Sequence, residues 1–258
     1  METLTSPDGT SIAYQVTGTG PPLVLVVGAF CDRNTTADLA ALLADAFTVV
    51  EYDRRGRGAS GDTDPYAPER EVEDLAALLT AVGGAPYVYG HSSGGVLALE
   101  AAAAGAPVGA LVVYEPPYPA EGDPAGRSDE LLEQVRERVA AGDRDGAAAA
   151  FLAGAGAPDE VVAMMRSGPG WEHMCELAPT LVHDLTLTNG GLVPVERLSE
   201  IAVPTLVLAG GASPPWAERS AAAVVAAVPG ARRSVIAGEH HGVAAVAVAP
   251  VLREAFRA

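Results

Sequence analysis

The strongest constraint on this chain is the stretch Tyr87-Val88-Tyr89-Gly90-His91-Ser92-Ser93-Gly94-Gly95-Val96-Leu97-Ala98-Leu99. A short β-forming run passes through Gly-x-Ser-x-Gly directly into a helix-forming run. A turn this tight brings side chains two positions either side of the serine into collision, which accounts for Gly90 and Gly94. It also holds a hydroxyl at the carboxyl edge of a strand, above a helix N-terminus whose unpaired N–H groups favour developing negative charge. Two serines compete for that place. Ser92 has glycine two residues before and two residues after, whereas Ser93 has His91 two residues before. Ser92 is therefore the expected nucleophile, and Ser93 the expected donor of a backbone N–H to an oxyanion.

The rest of the chain alternates in the same manner. Residues 10–17, after the turn signal Pro7-Asp8-Gly9, read as a strand paired with the one before it. Residues 23–27 are a continuous β-branched run of the kind buried on both faces of a parallel sheet, and residues 48–52 read as a second buried strand. Strands at 87–89 and 110–114 alternate with helical patterns at 37–46, 69–82 and 93–104. From about 116 to 200 no strand is convincing, and Pro and Gly punctuate short helical stretches. Strands resume at 205–208 and 233–236, with helices at 215–228 and at the C-terminus. The expected fold is α/β, a mostly parallel eight-stranded sheet flanked by helices. Residues 1–115 and 201–258 form its core, and residues 116–200 a helical cap inserted after the sixth strand.

Composition narrows the function. The 258 residues are 49% apolar and 19% charged, ordinary values for one large globular unit. There is no lysine, and the formal charge is −17. Nucleic acid and anionic membrane are thus disfavoured partners, because both require a basic face. Cys31 and Cys175 have no metal-ligand spacing and read as free thiols in a reducing compartment. The N-terminus lacks a secretory pattern, and the nearly uncharged stretch 92–114 is broken by Glu100, Gly105 and Pro107. A cytoplasmic protein acting on a small molecule is expected, with neither metal nor diffusible cofactor implied. Its oligomeric state is left open, with a homodimer among the options.

Together with Tyr52-Asp53-Arg54-Arg55-Gly56-Arg57-Gly58-Ala59-Ser60, the serine turn makes the chain resemble the α/β-hydrolase superfamily over nearly all its length. That resemblance implies that Asp53 and the neighbouring arginines fix their loop by hydrogen bonds, and that the helical insert is a lid. It also places the general base on a loop after the last strand. There the family's Gly, two variable residues and His select His241 in Gly238-Glu239-His240-His241, with His240 as fallback. His91, His173 and His183 fall in the turn or the lid, and none is placed as the base. The usual carboxylate after the strand at 205–208 is missing from Ala209-Gly210-Gly211-Ala212-Ser213-Pro214-Pro215. Some relatives carry it one strand earlier, which is Glu115 in Val113-Tyr114-Glu115-Pro116-Pro117. Asp184 and Asp32 are the rivals. The oxyanion loop reads Val27-Gly28-Ala29-Phe30, without the family's His-Gly, so the Ala29 N–H is the expected partner of the Ser93 N–H.

Phe30, Trp171 and Asp184 are the candidate substrate contacts. Met164, Met165 and Met174 share with Trp171 the alternative of packing inside the lid. The expected reaction is hydrolysis of an ester, thioester or lactone through an acyl-enzyme on Ser92. A serine nucleophile argues against the dehalogenase and epoxide-hydrolase branches of the resemblance. Acyl transfer or cyclisation on the same scaffold is one alternative. A non-catalytic small-molecule binder, motivated by the missing late Asp and loop His, is the other.

Overall fold

The apolar runs lie side by side at the middle of one sheet in a computed structural model, which describes residues 1–118, 128–188 and 193–257. In chain order the elements begin with β1 (Glu2–Thr5), β2 (Ser11–Gly18), β3 (Pro22–Val26), α1 (Ala37–Leu43), β4 (Thr48–Tyr52) and α2 (Pro68–Val82). They continue with β5 (Tyr87–His91), α3 (Ser93–Ala103), β6 (Ala110–Tyr114), α4 (Ser128–Ala140), α5 (Arg144–Gly154), α6 (Asp159–Arg166), α7 (Trp171–Leu177), α8 (Leu181–Thr188) and α9 (Val195–Leu198). The chain closes with β7 (Thr205–Gly210), α10 (Pro215–Ala227), β8 (Arg232–Ile236) and α11 (Ala245–Ala255).

The sheet has eight strands among the described residues, in the order β1-β2-β4-β3-β5-β6-β7-β8. The β1–β2 hairpin and the β2–β4 pairing are antiparallel, and every other pairing is parallel. Parallel strands need crossovers that cover both faces, which is why β3 and β6 could be written as unbroken apolar runs. On one face α1 and α11 pack through Leu39, Leu43, Val248 and Leu252. On the other, α2, α3 and α10 pack through Leu75, Leu78, Leu79, Val96, Leu99 and Val224.

Helices α4 to α9 lie between β6 and β7, the position expected for the insert. They have a smaller apolar centre of their own, in which Val135, Ala147, Ala148, Trp171 and Leu181 are buried. Two stretches of the expected cap segment 116–200, residues 119–127 and 189–192, lie outside the described residues. Among the described residues no helix is long and apolar enough to cross a membrane. Cys31 and Cys175 carry free thiols.

Strand lengths differ from expectation at two places that matter. β5 continues through Gly90 to His91, and β7 continues to Gly210, so both strands deliver backbone to the same end of the sheet. There α3 starts very close to β3. A Cβ on Gly94 would stand 2.3 Å from the Val26 carbonyl oxygen, and one on Gly90 would stand 2.7 Å from the Gly94 oxygen. Backbone cannot give way at that range. Gly94→Ala is expected to lower stability by about 3 kcal/mol, the upper end of ordinary overpacking, or to prevent folding. A fall in the urea midpoint at unchanged slope would register it, and an unaltered midpoint would contradict this packing.

Candidate active site

The turn between β5 and α3 puts Ser92 at φ 56° and ψ −127°. A non-glycine residue there costs about 1–3 kcal/mol, and the surrounding structure must impose it. Here the Ser92 N–H donates to the Tyr114 carbonyl at 2.9 Å, and the Ser92 carbonyl accepts from Gly95 at 2.8 Å. Gly28 at the end of β3 is equally forced, since a Cβ on it would lie 2.8 Å from Ser92 Cβ. The two serines part company as their spacing suggested. Ser93 is buried, and its hydroxyl donates to Asp184 at 2.7 Å. Ser92 instead points its Oγ to within 3.1 Å of His241 Nε2.

His241 stands on the loop between β8 and α11. Its Nδ1 lies 2.7 Å from Glu115 Oε2, and the Glu115 side chain is 0% exposed. The second oxygen of Glu115 accepts from the Gly210 N–H at 2.7 Å. Burial opposes ionisation of Glu115, but the hydrogen bonds from His241 and the Gly210 amide outweigh it and hold the carboxyl below its ordinary range. An ionised carboxylate only accepts, so the His241 proton sits on Nδ1 and the lone pair on Nε2 faces the Ser92 hydroxyl. Serine, imidazole and carboxylate thus form one hydrogen-bonded line.

The imidazole is held from several sides. Neutral His91 donates its Nε2–H to the His241 carbonyl at 2.7 Å, and the Tyr114 hydroxyl donates to the His240 carbonyl at 2.6 Å. His240, the fallback base, therefore serves through its backbone. Trp216, on the first turn of α10, meets the His241 ring edge-on at 5.5 Å between centroids. Trp216, His91 and the Gly210 amide escaped the sequence reading. The Gly210-Gly211 pair was the available signal for the amide. A Cβ on Gly210 would lie 2.3 Å from the Glu239 carbonyl, so the strand can pass only without a side chain.

The structure separates the other carboxylates from His241. Asp184 was a candidate both for triad acid and for substrate contact, and it is neither free nor near the imidazole. It is 1% exposed, and it accepts from Arg54, Arg57 and Ser93. Asp32 caps the short helical turn at Arg33–Thr36 by accepting from the Asn34 N–H at 2.9 Å. Trp171, also expected at the substrate, is turned into the interior of the helical segment. Its indole N–H donates to Asp145 at 2.8 Å, and Arg166 covers the ring. Met165 and Met174 pack against that same interior, whereas Met164 is exposed. Phe30 follows Ala29 on the loop after β3 and sits edge-to-face on Phe151 of α5, with centroids 5.3 Å apart. Asp53 holds its own loop, accepting from the backbone of Arg33 and Ala59.

An alpha/beta hydrolase family model matches residues 23–253, and the chain belongs to that family, a family of hydrolytic enzymes. An alpha/beta hydrolase from Sphaerobacter thermophilus superposes with a TM-score of 0.92 at 44% identity, covering 99% of this chain and 100% of that one. The uncharacterized hydrolase YraK of Bacillus subtilis is 40% identical over 96 residues, which are 36% of this chain and 35% of that protein. N-formylmaleamate deformylase of Pseudomonas putida is 36% identical over 109 residues, 41% of either chain. The matched stretches thus span less than half the length of these two curated relatives.

His91 gives the site a pH signature. Burial, then the neighbouring His241, depresses its pKa from 6.5 to about 4. Between those values the unfolded chain binds a proton that the folded chain refuses, so this contribution is complete above pH 6.5 and is lost as pH falls through about 4. His91→Gln retains a donor without the titration. Its stability is expected to fall less than that of the parent from pH 7 to 4, by on the order of 2 kcal/mol. Parallel denaturation curves at the two pH values would count against a neutral, half-buried His91.

Proposed function

We propose that the protein is a serine hydrolase acting on a carboxylic ester, thioester or lactone of a small molecule. The observation that carries this reading is the line from Ser92 Oγ through His241 to Glu115, with contacts of 3.1 and 2.7 Å. In the first half-reaction Ser92 Oγ attacks the acyl carbon while its proton passes to His241 Nε2. Glu115 stabilises the imidazolium that results and keeps the ring from turning. The carbonyl electrons move onto oxygen, which the N–H groups of Ala29 and Ser93 receive at the N-terminus of α3. Collapse expels the alcohol or thiol with the proton from His241 and leaves an acyl-enzyme. Water, deprotonated by the same nitrogen, then attacks the acyl carbon and releases the acid together with free Ser92.

The helical segment between β6 and β7 is read as a cap over this site. Phe30, carried on the loop after β3 and braced by Phe151 from that segment, is its substrate-facing wall. The named relatives are compatible with this chemistry, since a deformylase also transfers an acyl group to water.

A fluorophosphonate probe tests the reading directly. Labelling is expected to map to Ser92 and to disappear in Ser92→Ala and His241→Ala. Persistent labelling of Ser92→Ala would assign the nucleophile elsewhere. Glu115→Gln keeps the shape but offers the imidazole an amide, and kcat for a chromogenic ester is expected to fall about 1,000-fold or more. A Glu115→Gln enzyme at near full rate would remove Glu115 from the triad.

A further inference from the structure

Two arginines of the loop after β4 are fully buried beneath the proposed oxyanion hole, and neither faces solvent. Arg54 donates through Nε and Nη2 to both oxygens of Glu71 on α2, at 2.6 and 2.9 Å. Its Nη1 reaches the Val27 carbonyl at 3.2 Å, the Ser93 hydroxyl at 3.2 Å and Asp184 at 2.8 Å. Arg57 grips both oxygens of Asp184 through Nη2, each at 2.8 Å. With Nη1 it donates to the carbonyls of Gly28 and Cys31. Asp184 is carried by α8, in the segment between β6 and β7.

These contacts have one geometric consequence. The carbonyls of Gly28 and Cys31 flank the Ala29–Phe30 peptide, so Arg57 clamps both ends of the loop that offers the proposed oxyanion donor. Between the clamped ends Phe30 has φ 58°, a left-handed conformation that a side chain adopts only when held. Arg57 is itself held by a carboxylate that also binds Ser93, the residue supplying the second proposed donor. One side chain, Asp184, therefore joins both halves of the hole.

We propose that Asp184 is a positioning residue of the oxyanion hole, acting through Arg57 on the Gly28–Cys31 loop and through its own hydrogen bond on Ser93. It touches neither substrate nor reacting atoms, and the proposal rests on the serine-hydrolase reading above. Loss of the Asp184 charge replaces a two-oxygen anionic grip on Arg57 Nη2 by one neutral acceptor, the common anchor of the carbonyls at 28 and 31 loosens, and the N–H groups drift from where charge develops. Such a defect lies in the transition state and not in substrate binding.

The test compares wild type, Asp184→Asn and Asp74→Asn. Asp74 pairs with Arg55 in an equally buried ion pair on the α2 side, away from the loop, and controls for the removal of a buried carboxylate from an arginine, with Arg55 keeping Asp8 at 3.1 Å. For p-nitrophenyl acetate, Asp184→Asn is expected to lower kcat by about 30-fold or more with KM changed less than about threefold, approaching the loss of one oxyanion donor. Amide hydrogen exchange at residues 28–31 is expected to quicken about tenfold in the same variant, without a matching change in β6 or α11. Asp74→Asn is expected to shift stability but neither reading. Where Asp184→Asn fails to fold, Arg57→Lys carries the same expectations, because a point charge on a flexible stem cannot span the carboxylate and two carbonyls.

A folded variant with kcat within twofold of wild type, or with unchanged exchange at 28–31, overturns the proposal. So does an equal fall in kcat in Asp74→Asn. A wild type inert to esters and to the fluorophosphonate would sink the hydrolase reading instead, and the exchange at 28–31 would still decide whether Asp184 orders the loop.

Discussion

Everything at the carboxyl end of the sheet depends on how near α3 approaches β3. Gly94 lies where a Cβ would penetrate the Val26 and Val27 carbonyls, and Gly28 lies where a Cβ would strike Ser92. Such an approach is available only to a backbone without side chains at both contact points. Its first product is the unusual Ser92 backbone, which a looser turn would let relax. Its second is that the N-terminus of α3 and the end of β3 bring their free N–H groups to one place. The proposed nucleophile and the proposed anion site are thus two results of one steric condition.

A close backbone approach does not by itself fix the loop that follows β3, because that loop has no strand partner beyond Val26. Charge supplies the missing constraint. Arg54 and Arg57 are matched in number by Glu71 and Asp184, so the buried cluster is neutral, and the Nη1 group of each arginine also donates to backbone carbonyls, of Val27 for Arg54 and of Gly28 and Cys31 for Arg57. Burial raises the cost of ionising Asp184, yet Arg57 and Arg54 more than offset it and keep its carboxyl below the ordinary range. A buried ion pair contributes little net stability compared with apolar packing of the same volume. What it offers is direction, since a planar guanidinium donates along fixed vectors and apolar side chains do not. The same cluster ties α2, α3, α8 and the loop into one rigid floor.

The features legible in the sequence were those whose cause is local. Residues 48–52 and 110–114 were delimited correctly because β-branched runs bounded by turn residues have one reading. The glycines flanking Ser92 were legible because a steric demand leaves a fixed spacing. By contrast, Asp184 meets Arg54 across 130 residues of chain, and nothing near either residue announces the other. A polar residue on a helix of the inserted segment therefore reads as a substrate contact, whereas tertiary packing gives it to arginine. Trp171 keeps two readings in the sequence for the same reason, because its Asp145 partner lies 26 residues away on another helix. Trp216 went unnoticed because an aromatic after two prolines reads as helix initiation, and only the strand crossing places it beside His241.

Glu115 reaches its imidazole from the end of β6, where the family's usual position for the acid lies one strand further along. β6 and β7 are parallel neighbours with Tyr114 opposite Leu208, so Glu115 lies level with Ala209, one residue before β7 ends. Moving the acid from the end of β7 to the end of β6 shifts its origin by one strand spacing, about 4.8 Å, in the plane of the sheet. Glu115 closes part of that gap with one more methylene than aspartate, and its backbone φ of 46° turns the side chain toward β7. The vacated strand end contributes in turn. Gly210 has no side chain to obstruct the crossing, and its N–H fills the lone pair that His241 leaves open. Glu115 is thus oriented by the neighbouring strand, which makes the glycine at the end of β7 as much a requirement of this arrangement as the glutamate after β6.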